Sequence, residues 1–152
     1  MAIYTNLAGV KTISNTEIPS KIVIESKGST YIRPKKGDEI KQRISINRDG
    51  KIIVARYYVT KNYEMSNLER KATSIWVAPE YVDRIFNSIK ACFSKNFEPT
   101  IVYDGGEWKM TVQYYNKSVN IEGMMPSDNE EIKAITDLIN DTLGTDELWV
   151  MG

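Results

Sequence analysis

Apolar and polar residues alternate along 107–115: Trp108, Met110, Val112 and Tyr114 fall on one side, Lys109, Thr111, Gln113 and Tyr115 on the other. A period of two belongs to a strand with one face in a core and one toward water. Asn116-Lys117 turns the chain, and Val119 and Ile121 resume the inward pattern. Beyond Gly123 and Pro126, Ser127-Asp128-Asn129-Glu130 matches an S-x-x-E capping box, which predicts a helix from Ser127. Ile132, Ile135, Leu138, Ile139 and Leu143 form its apolar stripe, and Gly144 stands at the C-terminal cap.

Upstream the same order of elements is predicted. Residues 43–47 alternate about Ile44 and Ile46, and Asp49-Gly50 marks a hairpin because glycine supplies the positive φ of a tight turn. The return strand, 51–59, is apolar on both sides: Ile53, Ala55, Tyr57 and Val59 on one, Ile52, Val54, Arg56 and Tyr58 on the other. Residues 61–72 read as a loop and 73–77 as a short strand. Pro79 suits the first position of a helix whose stripe is Val82, Ile85, Phe86, Ile89, Cys92 and Phe93. Residues 21–25, with 30–33 as hairpin partner, 100–103 and 147–151 read as further strands, and residues 1–14 as a short strand or an arm. A hairpin followed by a helix, twice, predicts a single α+β domain over 1–152 with halves at about 20–97 and 98–152. The expected architecture is a mainly antiparallel sheet with two amphipathic helices packed on one face.

Composition narrows the chemistry. The chain has 152 residues, no histidine and one cysteine, Cys92. Without histidine there is no hydrolase built on a histidine base and no Cys/His zinc site, so no cofactor is expected. Cys92 falls on the apolar side of its helix and reads as a buried, inert thiol. No apolar run reaches the about 18 residues of a membrane helix, and residues 1–10 do not read as a secretory signal. A cytoplasmic location away from membranes is therefore expected. Net charge is zero, yet residues 1–76 carry 14 Lys/Arg against 7 Asp/Glu, and the remainder 6 against 13. Such asymmetry either marks a surface for an anionic partner or cancels where the halves pack together.

The run Asp104-Gly105-Gly106-Glu107-Trp108-Lys109-Met110-Thr111-Val112, the aromatic-rich hairpin, Gly123, Pro126 and the closing amphipathic helix resemble small uncharacterised cytoplasmic α+β proteins of Gram-positive bacteria and their mobile elements. The resemblance covers about the last third of the chain and implies no activity and no functional residue.

Three constellations remain. Asp104 with Glu107 and Lys109 has the letters of a D…E-x-K metal-dependent nuclease, but a two-residue Gly-Gly turn separates the carboxylates, and a polar strand after a turn explains them. Trp76, Trp108 and Trp149 stand in strand positions where core packing is the expected role. Of the pairs Tyr57-Tyr58 and Tyr114-Tyr115, one member must leave the core, with Tyr58 and Tyr115 as the outward residues. If both helices cover one face, the other would present Arg43, Arg56, Tyr58, Lys109, Gln113 and Tyr115 as a basic and aromatic surface. These residues lead to a non-enzymatic binding or regulatory module acting through protein–protein contacts, with self-association among them. The alternative is a weak nucleic-acid binder that stacks bases on this face, and a carboxylate-based enzyme comes third.

Overall fold

The computed structural model describes residues 19–28, 33–93, 106–125, 130–145 and 147–151, with the backbone alone at 91–93. Six strands, β1 (Lys21–Lys27), β2 (Glu39–Asn47), β3 (Lys51–Tyr58), β4 (Glu69–Trp76), β5 (Glu107–Gln113) and β6 (Ser118–Met124), form one sheet. Its order is β4-β3-β2-β1-β5-β6, and each neighbouring pair is antiparallel. Two helices, α1 (Pro79–Phe93) and α2 (Glu130–Leu143), complete an α+β architecture.

The ladder registers line up the isoleucines. Val119, Val112, Ile22, Ile46 and Ile52 lie side by side across five strands, and Ile121, Met110, Ile24, Ile44 and Val54 form the next row. Directly opposed residues share a face, so both rows point the same way. They join Val82, Ile85, Phe86 and Ile89 of α1 and Ile132, Ile135 and Ile139 of α2 in one hydrophobic cluster. Each buried aliphatic side chain contributes about 1.5–3 kcal/mol relative to exposure. The β2–β3 hairpin turns on Gly50, whose φ is +106°. A Cβ there would stand 2.3 Å from the Val77 carbonyl oxygen, so glycine is required twice over at this position.

The third row is polar. Trp108, Ser26, Gln42 and Arg56 follow one another across β5, β1, β2 and β3. The segment 147–151 lies over it, with Leu148, Val150 and Met151 buried. Gln42 Oε1 accepts the Trp149 N–H at 2.8 Å, Gln42 Nε2 donates to the Glu147 carbonyl at 3.4 Å, and Ser26 Oγ donates to the Val150 carbonyl. Expected as a strand, this segment is a turn-rich strap instead. The directly paired Ser26 and Gln42 bond its backbone through their side chains, the Glu147 N–H donates to Thr145 Oγ1 at 3.1 Å, and Val150, at φ +51°, is bent out of extended geometry.

Two further expectations change. Both edges of β1 are occupied, by β2 and β5, so β1 is a central strand; of its expected hairpin partner, 30–33, residues 30–32 lie outside the described residues. The fourth strand starts at Glu69, four residues before the expected 73, and all but one of its residues are exposed. With neither side buried it carries no period-two pattern, and its polar start reads as loop. The arm at 1–14, the strand at 100–103, the capping box at Ser127 and the side chain of Cys92 lie outside the described residues.

Candidate functional site

The six residues expected to form one surface are divided by the sheet. Arg43, Lys109 and Gln113 lie on the face opposite the isoleucine rows, whereas Arg56 is paired with Gln42 and shares the side of Ile52 and Val54. Tyr58, two residues on, follows Arg56. Tyr115 stands beyond the end of β5 in the turn to β6, fully exposed. The sequence was ambiguous here because β3 is apolar on both sides. What decides the faces is the turn at Asp49-Gly50, which sets Ile52 opposite Ile46 and so carries Arg56 and Tyr58 to the core side of the sheet.

Arg56 is consumed by its neighbours. Its Nη2 meets Glu147 Oε2 at 3.1 Å and its Nε meets Glu39 Oε2 at 3.6 Å. Partial burial disfavours the charge, but the hydrogen bond to the Tyr58 hydroxyl, the Glu39 carboxylate and the bond to Glu147 outweigh it and raise the guanidinium pKa above its ordinary value. Lys71 stands over the Tyr58 ring at 5.0 Å. Arg56 and Tyr58 thus tie β2, β3, β4 and the C-terminal strap together, leaving neither open for a phosphate or a base.

On the second face the charges interleave. Glu122, Lys109, Glu25 and Arg43 lie side by side across β6, β5, β1 and β2, alternating in sign. Lys41 reaches Glu25 at 3.1 Å and covers the Tyr57 ring at 5.0 Å. Cations still outnumber carboxylates, since Lys21, Lys27, Lys51 and Arg70 share this face against Glu107. Val23, Ser45 and Ala55 are buried at its centre, so the exposed groups are confined to the margins. Glu107 and Lys109 are exposed, as a polar strand requires, and Lys109 sits between two glutamates rather than beside a second metal-binding carboxylate. Asp104 lies outside the described residues.

Of the three tryptophans expected in the core, Trp108 is buried, Trp149 is half-buried and Trp76 is exposed. Trp108 is 3% exposed, but Trp76 is 65% exposed. Trp76 ends β4, an edge strand among the described strands, beyond the part whose side chains enter the helix-bound core. Tyr81, at the start of α1, is also exposed. The sequence signal that could have found this site is the run Ala72-Thr73-Ser74-Ile75-Trp76, which lacks charge and proline and follows a charged cluster.

At the end of α2 a shallow depression is lined by Asp137, Asn140, Asp141, Gly144 and Thr145. Among the described residues no group of three or more metal-ligating side chains converges there or elsewhere. No helix among the described residues is long and apolar enough to cross a membrane. No family model matches the chain, and no curated protein matches its sequence.

Proposed function

We propose that this chain is a non-enzymatic cytoplasmic binding or regulatory module acting through protein–protein contacts, and that the contact runs along β4. The observation that carries the reading is the character of that strand. Among the described strands it stands at one end of the sheet, it is exposed on both faces, and it ends in a 65% exposed tryptophan. An outermost strand presents a row of unpaired N–H and C=O groups, and proteins commonly blunt such an edge with charge, proline or a bulge. From Ala72 to Trp76 none of these devices is present, and the β3–β4 register runs without a shift. Strand addition at such an edge supplies main-chain hydrogen bonds, and the exposed aromatic adds buried area.

A photo-crosslinking residue placed at Trp76 in native cytoplasm tests the reading. A protein adduct is expected, and it should vanish when Ser74→Pro removes an edge donor. Crosslinks to nucleic acid alone, or none, would overturn it.

The second reading is a weak nucleic-acid binder, favoured by the cation excess of the second face. It ranks lower because Glu25 lies between Lys109 and Arg43 and because Tyr57 is already covered by Lys41.

A further inference from the structure

The direction of the backbone groups on β4 identifies a partner of defined geometry. The Val77 N–H donates to the Gly50 carbonyl at 3.0 Å, so odd-numbered residues of β4 turn their N–H and C=O toward β3. Backbone groups alternate along a strand, and those of Arg70, Ala72, Ser74 and Trp76 therefore point out of the sheet. Resting on the β4 contact proposed above, we propose that its occupant is a second copy of this chain, paired β4 to β4, antiparallel, across a two-fold axis at Thr73.

A two-fold axis normal to the sheet keeps like faces together, so it must pass through a single residue of the strand. Thr73 is the one position that maps the four outward residues onto themselves. Arg70 then pairs with Trp76 of the second copy, and Ala72 with Ser74, each exchanging both backbone hydrogen bonds. Placing the axis at Ala72 or Ser74 leaves Trp76 or Arg70 without a strand partner. Placing it at Arg70 or Lys71 sets two like charges directly opposite each other, which is destabilising.

The side chains agree with this register. Arg70 and Trp76 share one face of β4, so each guanidinium meets the indole of the other copy in a cation–π pair, once at each end of the contact. On the other face Lys71 lies opposite Ile75, whose apolar surface receives the lysine stem, and the two threonines meet on the axis. Exposure of β4 on both faces leaves room for the layers of the second copy. The result is a continuous sheet of two six-stranded halves.

Sedimentation velocity, from low micromolar to the highest soluble concentration, tests the pairing. The wild-type chain should shift from monomer to dimer with concentration. Thr73→Lys and Thr73→Glu should each stay monomeric, since each sets like charges together on the axis, and an equimolar mixture of the two should recover the dimer. Circular dichroism of each variant establishes that it is folded. A wild-type chain that stays monomeric throughout, or a dimer that persists in both variants, would overturn the proposal. If the chain is monomeric while the Trp76 crosslinker captures a different protein, self-pairing fails and the β4 reading stands. If there is no crosslink either, both fall.

Discussion

Trp108 lies directly across the β5–β6 ladder from Gly123, and its indole fills the space that a side chain at Gly123 would occupy. A Cβ there would stand 2.7 Å from the ring carbon Cζ2. Trp108 and Gly123 act as one packing unit beside Ile135 and Ile139 of α2 in the same core. Gly123→Ala should destabilise by about 1–3 kcal/mol through overpacking, and Trp108→Ala by about 3–5 kcal/mol through the cavity it leaves. In the double variant the alanine at 123 no longer meets the indole, so the effects should sum to less than their separate values. Urea denaturation of the four proteins measures this, and strict additivity would show that the indole does not restrict position 123.

The C-terminal strap depends on Gln42. Replacing it with leucine keeps much of the volume but leaves the Trp149 N–H without its acceptor and the Glu147 carbonyl without its side-chain donor. The expected loss is about 1–3 kcal/mol, the penalty of a partly buried group left unpaired. Amide exchange should accelerate at Trp149 and its neighbours more than at Ile22 or Ile24. Equal acceleration everywhere would mean that the strap unfolds only with the whole chain.

Fold class and most of the core were legible because the signals were local. Trp108, Met110 and Val112 alternate, and Ile132, Ile135 and Ile139 follow helical spacing. The site was less legible, because its features are set by register and sheet order. β3 is apolar on both sides, so nothing local says that Arg56 shares a face with Ile52. Trp76 reads as a core residue until β4 is known to be an edge strand among the described strands. The strap reads as a strand because Leu148-Trp149-Val150-Met151 is a short apolar run. In the structure Leu148, Val150 and Met151 are indeed buried, but the described hydrogen bonds to its backbone involve the side chains of Gln42, Ser26 and Thr145.

No Mg²⁺- or Mn²⁺-dependent nuclease activity is expected. Glu107 and Lys109 are exposed on β5, and the ladder neighbours of Lys109 are Glu25 and Glu122, a charge-compensating arrangement. Two-metal chemistry instead needs carboxylates gathered about ions about 3.5–4 Å apart. Incubation with single- and double-stranded DNA and RNA checks this, with Glu107→Gln as the control. Metal-dependent cleavage abolished by that substitution would reinstate the enzyme reading.

Arg56 should behave as a structural cation. Arg56→Met removes its bonds to Glu39, Glu147 and Tyr58 and should cost about 1 kcal/mol, less at high salt, because the cluster is only partly buried. Its pKa is raised, so the stability its charge contributes is complete below the unfolded-state value and is lost only as pH rises through the still higher folded value. That window lies beyond the ordinary range of stability measurements. The difference in unfolding free energy between wild type and Arg56→Met should therefore be independent of Arg56 titration from about pH 7 to 10. A difference that disappears within that range would place the contribution in another group.

Oligonucleotide binding separates the two functional readings, and the face geometry says which variants matter. If the second face held a single strand, Arg43 and Lys109 would neutralise phosphates, and the affinity would fall steeply with salt as condensed counterions return to the nucleic acid. Arg43→Ala or Lys109→Ala would flatten that slope. Arg56→Ala would leave it unchanged, since Arg56 lies on the other side of the sheet and is paired with Glu39 and Glu147. Tyr115, fully exposed in the β5–β6 turn, offers the one wholly uncovered ring among the described residues, and its replacement by alanine would cost about 1–3 kcal/mol if it carried a base. The expected result is no salt-dependent binding at all. Glu25 stands between Lys109 and Arg43, and Glu122 on the far side of Lys109, so a phosphate approaching either cation meets a carboxylate on an adjacent strand. Fluorescence anisotropy with labelled single strands at low salt makes the measurement. Micromolar binding that weakens with salt, is lost in Arg43→Ala and survives in Arg56→Ala would replace the protein-partner reading with the nucleic-acid one.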